Sequence, residues 1–419
     1  MTEMSTGPYD IVIIGSGITG LYLAVEMAKR RRVIVIEKEK DLGGRAFTFK
    51  QKFEGKDIQW EAGAGRISER HKHVRELIKR YKLTWVPIGG ETAYIENYGS
   101  KEEPNVFENG IPIFIDTIAG LPAADLAGNT IRELLTKIHG PAKAEEFLIH
   151  FTYRAEVDTM RADMALRLFM HEFREKEPYG ICAEGLSAII EGLRGELEAK
   201  GGEILREHSC VEVEQVRRGE VRVTCAKKEE PEPVVLEGKR CILAVPVAAL
   251  EHIKPFGAWR PAKHLKMKPL LRFYGVFPKV DWATKRIATA TRIRYMIPGN
   301  PAIGSVQMSY TDSEDADFWK KRLDEVGEKA VGEEILGDLR RLIRPDIPPP
   351  TFVRAHYWEH GTTYWLPGTY DPVEESRAAY RPLADMPGVH LCGESFSIHQ
   401  GWMEGGLDHA VGLLRLLDV

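Results

Sequence analysis

Asp10-Ile-Val-Ile-Ile-Gly15-Ser-Gly17-Ile-Thr-Gly20-Leu-Tyr-Leu-Ala24 runs from an apolar strand through a glycine turn into the start of a helix. Arg32-Val-Ile-Val-Ile-Glu37 follows as a second apolar strand with an acid at its tip. Strand, turn, helix and strand in that order read as a dinucleotide-binding βαβ unit. Gly15 makes the tight turn, Gly17 lets the backbone approach a pyrophosphate, and Gly20 lets the helix pack closely on the strand. The helix beginning at Ile18 and Thr19 offers free N–H groups and a positive dipole end to phosphates. Ser16 and Lys38 complete the expected grip. Glu37 suits a ribose 2′-hydroxyl and would repel a 2′-phosphate, so Lys29-Arg30-Arg31-Arg32 reads as a solvated helix C-terminus rather than an NADP site.

Working outward, 419 residues suggest two or three lobes, and a hydrophobic content of 43% supports a sizeable packed core. A net charge of −4 with both signs interspersed points away from nucleic acid or an anionic membrane as the main partner. Five cysteines without a CxxC spacing favour a reducing compartment, with neither a zinc site nor a disulfide framework. The stretch 1–9 is too short and polar for a signal peptide, and no apolar run of about 18 residues exists. The expectation is a cytoplasmic protein without a membrane anchor.

Downstream, Asp41-Leu-Gly43-Gly44-Arg45 permits close backbone approach and then supplies a guanidinium able to fork onto phosphate or a flavin oxygen. Gly63-Ala64-Gly65-Arg66 again suggests backbone lying close to something flat. The residues at 70–81 have helical periodicity, and His71 and His73, two apart, would not share a helix face to ligate a metal. A strand and turn are expected over 113–121, and helices over 125–138 and 142–153. An amphipathic helix spans 185–202, strands alternate around a turn at 217–220, and a polar loop covers 227–233. Lys239 to Pro246 is a further buried strand. Strands are expected over 267–277, 292–298 and 303–310, and a long polar helix over 318–342. The stretch 354–365 is dense in aromatics. A short strand ends at Gly393-Glu394, and Gly401-Trp402-Met403-Glu404-Gly405 opens the last helix.

The spread of these segments resembles the flavin-containing amine oxidase family, the relatives of monoamine and polyamine oxidases. Seven of them carry the resemblance: the glycine turn with Glu37, Gly43-Gly44-Arg45, the strands over 211–223, Ile242 to Pro246, Lys268 in its strand, Gly393-Glu394, and Gly401 to Gly405. The implied fold is α/β: a Rossmann-type FAD-binding domain (1–68, 185–250 and 385–419) with an inserted sheet-plus-helix substrate domain and helical cap (69–184 and 251–384). The resemblance implies that Gly15, Ser16, Gly17 and Gly20 hold the FAD pyrophosphate and Glu37 the ribose. Arg45 would lie beside the phosphates or flavin. Val211 would meet the adenine through its backbone, and Glu394 the ribityl-pyrophosphate section. Met403 would bring its backbone N–H to the pyrimidine edge of the flavin. The dipole of the helix there would stabilise negative charge on that edge.

Lys268, ahead of an apolar strand, is the lysine that in the family approaches flavin N5 through a water. Trp402 is expected as one aromatic facing the flavin, with Tyr364 and Trp365 as candidates for the second. No cysteine lies between Cys241 and Cys392 to tether the flavin, so the FAD is expected to be non-covalent. The implied activity is oxidation of a small-molecule amine or amino acid to an imine, with O2 reduced to H2O2 and no metal. Acidic residues could select a polyamine and an arginine such as Arg272 a carboxylate. The rival readings are a desaturase or protoporphyrinogen-oxidase type of dehydrogenase and a weakly catalytic flavoprotein scaffold. A homodimer is compatible with this reading.

Overall fold

Two seven-stranded sheets organise the chain, as seen in a computed structural model that describes residues 7–89, 91–104, 106–173, 179–227 and 232–418. In the first, Tyr9–Ile14 lies at the centre, parallel to Val33–Ile36 on one side and to Val234–Leu243 on the other. Glu203–Leu205 extends it beyond Val33–Ile36, and Val389–Leu391 pairs parallel with Val234–Leu243. The antiparallel strands His208–Arg217 and Glu220–Lys227 complete the far edge.

Strand periodicity assigns the two faces of this sheet. Ile11, Ile13, Val33, Val35 and Ile242 pack with the helices Ile18–Met27, Leu186–Ala199 and Met403–Leu416. Val12, Ile14, Ile34, Ile36 and Leu243 face the opposite core. Both faces are therefore covered, which is why these strands are continuous apolar runs.

The second sheet has the order Phe352–Trp365, Leu265–Val276, Ser305–Asp312, Tyr295–Pro298, Arg286–Ala288, Thr92–Tyr94 and Glu103–Pro104. Leu271, Phe273, Val306 and Met308 pack beneath Ser313–Leu342, a helix kinked at Gly327, where φ is 79°. The alternate residues Leu270, Arg272, Tyr310 and Asp312 face the other way and line a pocket.

Two local expectations are corrected. The stretch 113–121 is not a strand and turn: Val106–Ile118 is helical, and Ile111, Phe114 and Ile118 bury one stripe at helical spacing. A short apolar run fits a strand or a buried helix equally well by periodicity, and length arbitrates. The helix expected over 125–138 is two, Ala123–Gly128 and Ile131–His139. The second starts at a capping box in which Thr130 accepts from the Glu133 N–H and Glu133 accepts from the Thr130 N–H. The tip expected over 227–233 falls largely on residues 228–231, outside the described residues, as do residues 1–6. No helix among the described residues is long and apolar enough to cross a membrane.

Candidate active site

The glycine turn is shaped as a cradle. Gly15 has φ of +100°, and a Cβ there would lie 2.6 Å from the Ala244 carbonyl oxygen. A Cβ on Gly20 would run into the Gly15 carbonyl, whereas one on Gly17 would meet nothing within 4 Å. The first and third glycines are thus required by packing, and the second faces open space. No side chain caps the helix that starts after Gly17, so its first N–H groups remain available to an anion. Gly17 bridges to Gly43, which sets Gly43-Gly44-Arg45 against the same opening. Glu37 is buried; its Oε2 accepts from the Ser16 N–H at 2.9 Å and the Ser16 hydroxyl at 2.6 Å, and its Oε1 from the Glu39 N–H at 2.9 Å. Lys38 beside it is exposed and pairs with Glu39. Val211 is skipped in the register between Cys210 and Glu212, and its carbonyl accepts from the Lys254 N–H.

Glu394 ties the remote parts of the site together. Its Oε2 accepts from Arg45 Nη1 at 2.9 Å and from the Thr363 hydroxyl at 3.1 Å. Its Oε1 accepts from the N–H groups of Gly401, at 2.9 Å, and Thr363, at 3.2 Å. Gly393 and Gly401 take φ of +136° and +83°, and a Cβ at either would meet nothing within 4 Å. The last helix begins after Trp402 without a side-chain cap, so the Met403 end presents free N–H groups. Gly406 packs this helix onto the first one, where a Cβ would lie 2.7 Å from Thr19 Oγ1. Two uncapped helix N-termini, joined by an Arg45–Glu394 pair, fit the two ends of a flavin dinucleotide.

Next to the Met403 end lies the pocket. Its floor carries Ala64, Gly65, Arg66, Gly401, Trp402 and Met403. Gly63, one residue before this floor, packs so closely on Arg45 that no Cβ would fit. The walls carry Tyr153 and Glu156 from the segment around helix Arg154–Asp158, and Leu270, Arg272, Tyr310, Asp312, Thr362 and Tyr364 from the second sheet. The Arg66 guanidinium lies over three rings, 5.3 Å from the centroid of Tyr153, 5.7 Å from Tyr179 and 5.8 Å from Trp402. No carboxylate among the described residues forms an ion pair with it. Arg272 lies over Tyr310, donates to the Glu61 carbonyl at 3.3 Å, and keeps a buried Nε without a hydrogen-bond partner among the described residues.

Trp402 is clamped from two sides. Tyr179 stacks on it, with centroids 5.7 Å apart, and His71 meets it edge-on at 4.9 Å. Both clamps are held by the buried carboxylate of Glu172. The Tyr179 hydroxyl donates to Glu172 Oε2 at 3.1 Å, and His71 Nε2 lies 3.3 Å from both Glu172 oxygens. His399 Nε2 and His171 Nδ1 reach Glu172 Oε1 at 2.6 and 3.0 Å. Burial pushes the Glu172 carboxyl up, but the hydrogen bonds from His171, His399 and His71 hold it well below the usual range. Burial pushes His399 down, and its hydrogen bonds to Asp408 and Glu172 outweigh that, raising it to about 9. His71, Glu172 and His399 are close enough to suggest metal ligands. The Ser68 N–H, however, donates to His71 Nδ1 at 3.2 Å, which puts the imidazole proton on Nε2, facing Glu172. With that tautomer the cluster is a hydrogen-bonded clamp. His73 belongs to a different group, with Glu404 and Asp408.

Of the aromatic candidates, Tyr364 and Trp402 line the pocket. Trp365 points to the other side of its strand, is fully buried, and donates its indole N–H to the Ser397 carbonyl at 3.0 Å. Lys268 pairs in register with Thr362 and is half-buried; Pro269 makes a register shift before Leu270, and Lys268 is outside the pocket lining. No motif in the sequence marks Glu156, Glu172, Asp312 or His399. Glu404, within the Gly401 to Gly405 motif, accepts from the N–H groups of His73 at 2.8 Å and Val74 at 3.0 Å, capping the helix Lys72–Arg80.

Residues 18–411 match the model of the family described as flavin containing amine oxidoreductase. The chain belongs to that family. Its cofactor is FAD, and it is an FAD-dependent oxidoreductase of the amine oxidase kind. It is similar to YobN, a putative L-amino-acid oxidase of Bacillus subtilis (strain 168), with 24% identity across 97% of this chain and 94% of that protein. It also matches an L-amino acid oxidase of Cerastes cerastes at 37% identity, over 19% of this chain and 16% of that protein. Among solved structures, a putrescine oxidase mutant shares the fold at a TM-score of 0.79 and 16% identity, covering 98% of this chain and 99% of the other. Cyclohexylamine oxidase from Brevibacterium oxydans IH-35A does so at 0.75 and 18%, covering 99% and 100%.

Proposed function

We propose that this member of the family oxidises the C–N bond of an α-amino acid, with non-covalent FAD and O2. The observation that carries the reading is Arg66, a cation held over three rings at the pocket floor with no ion pair to a carboxylate among the described residues. Such a guanidinium suits a substrate carboxylate delivered next to Trp402. The similarity to YobN along nearly the whole chain supports the same class. The charged lining, with Arg66, Arg272, Glu156 and Asp312, speaks against a large apolar substrate and hence against the desaturase reading.

Bound FAD supplies the two-electron acceptor. The chain's residues orient and select: Arg66 holds the carboxylate, Trp402 and Tyr364 flank the Cα–N bond, and the buried aromatic walls favour the neutral amine that the reaction needs. Lys268 is proposed to act at the flavin edge through a water, as in the family. The balance is R–CH(NH3+)–COO− + O2 + H2O → R–CO–COO− + NH4+ + H2O2, through an imine that water hydrolyses. The test is anaerobic mixing of the yellow holoenzyme with α-amino acids, their decarboxylated amines and simple monoamines, followed by peroxide measurement in air. Bleaching by amino acids with peroxide release is expected. Bleaching by the amines alone would overturn the amino-acid reading, and no bleaching by any of them would favour the scaffold reading. Loss of the yellow colour from the protein on acid precipitation would agree with non-covalent flavin.

A further inference from the structure

The wall formed by Tyr153, Glu156 and Asp312 carries a second charge pattern. Asp312 ends its strand, and its two carboxylate oxygens accept from the N–H groups of Arg154, at 3.1 Å, and Ala155, at 3.0 Å. That fixes the start of the short helix Arg154–Asp158 and so aims Glu156 at the pocket. Glu156 Oε2 is buried and has no hydrogen-bond partner among the described residues. Neither Glu156 nor Asp312 forms an ion pair with Arg66 or Arg272 among the described residues. An unpaired acid in a buried pocket is costly to leave without a partner. Two acids and two guanidiniums share one pocket with no direct ion pair between them among the described residues.

We infer that Glu156, backed by Asp312, is a subsite for a cationic group at the far end of the substrate, so that the pocket takes a basic α-amino acid. The substrate carboxylate lies on Arg66, the α-carbon beside Trp402, and the side-chain ammonium or guanidinium on Glu156. The inference rests on the α-amino-acid reading for the carboxylate end only. In support, burial and the neighbouring Asp312 charge push the Glu156 carboxyl up to about 8 against the opposing pull of the Tyr364 hydroxyl and the Arg66 charge, and burial likewise pushes Asp312 up to about 7. A cation arriving there would favour the ionised form.

Two measurements on the holoenzyme test it. The first compares 6-aminohexanoate, which is lysine without its α-nitrogen, with hexanoate, reading the perturbation of the flavin absorbance. Binding of 6-aminohexanoate at least about 30-fold tighter is expected, since a buried charged hydrogen bond supports a difference of that size. The second takes kcat/KM for lysine over norleucine, which differ only at the terminal amine. A ratio well above one is expected, collapsing by about 30-fold or more in Glu156→Gln, with the binding gap closing in the same variant. Equal binding of the two acids by the unaltered protein, or a ratio near one, would overturn the inference without any variant having to fold. So would a Glu156→Gln effect of equal size on lysine and norleucine, which would place Glu156 at the reacting nitrogen instead. Cadaverine, which is lysine without its carboxylate, separates the two readings. Oxidation of cadaverine as fast as lysine, with pentylamine far slower, would sustain the cation subsite and sink the carboxylate role of Arg66.

Discussion

Arg66 and Trp365 show how far a residue's type is from its role. Arg66 sits in a glycine-rich stretch that reads as backbone near a cofactor, yet its side chain is a pocket-floor cation with no ion pair to a carboxylate among the described residues. Arg66→Met is expected to lower kcat/KM for amino acids by about 100-fold, the scale of losing a buried charged hydrogen bond, while that for decarboxylated amines falls far less. Steady-state kinetics on matched pairs check this. Tyr364 and Trp365 are neighbours in sequence and equal as aromatics, but strand alternation sends one into the pocket and the other into the core. Trp365→Phe leaves the Ser397 carbonyl without its indole donor and opens a small void, so a stability loss of about 1–3 kcal/mol is expected. Denaturant unfolding reads it directly, and the turnover of the folded fraction should change little.

At the scale of elements, the chemistry depends on how a few segments are pinned. The Gly401 to Gly405 turn was legible as a motif, but its Glu404 acts on another element, capping Lys72–Arg80 from more than 300 residues away. Glu404→Ala is expected to cost about 1–2 kcal/mol, the worth of a strong helix cap, and to raise hydrogen exchange first at the amides of His73 and Val74. The Glu172 clamp has a pH signature. His399 is raised from 6.5 to about 9 by partners that outweigh burial, so its contribution to stability is fully present below pH 6.5 and is lost as pH rises through about 9. The gap in thermal midpoint between the unaltered protein and His399→Gln should therefore shrink across that window. A gap constant with pH would show that His399 does not carry its charge there. Glu172 itself lies in a stretch with no recognisable signature: His171 and Tyr179 are close in sequence, but the clamp is completed by His71 and His399, 101 and 227 residues away.

For the whole molecule, one sheet and its covering helices form the cradle proposed for the nucleotide, while the second sheet turns one face to its long kinked helix and the other to the pocket. The sequence by itself determined the cradle. Its tight turn, open second glycine, acid-tipped strand and C-terminal helix turn are each written in consecutive residues, because local φ/ψ demands and short-range packing act through neighbours in the chain. The parallel strands were legible for the same reason, as continuous apolar runs covered on both faces. Only the tertiary structure decided which charges share the pocket. Arg66, Glu156, Arg272 and Asp312 come from four separate segments, and their meeting depends on strand register and on which face each side chain takes. A one-residue change of register reverses that face, so long-range pairing rather than any motif fixes the chemistry of the substrate's end.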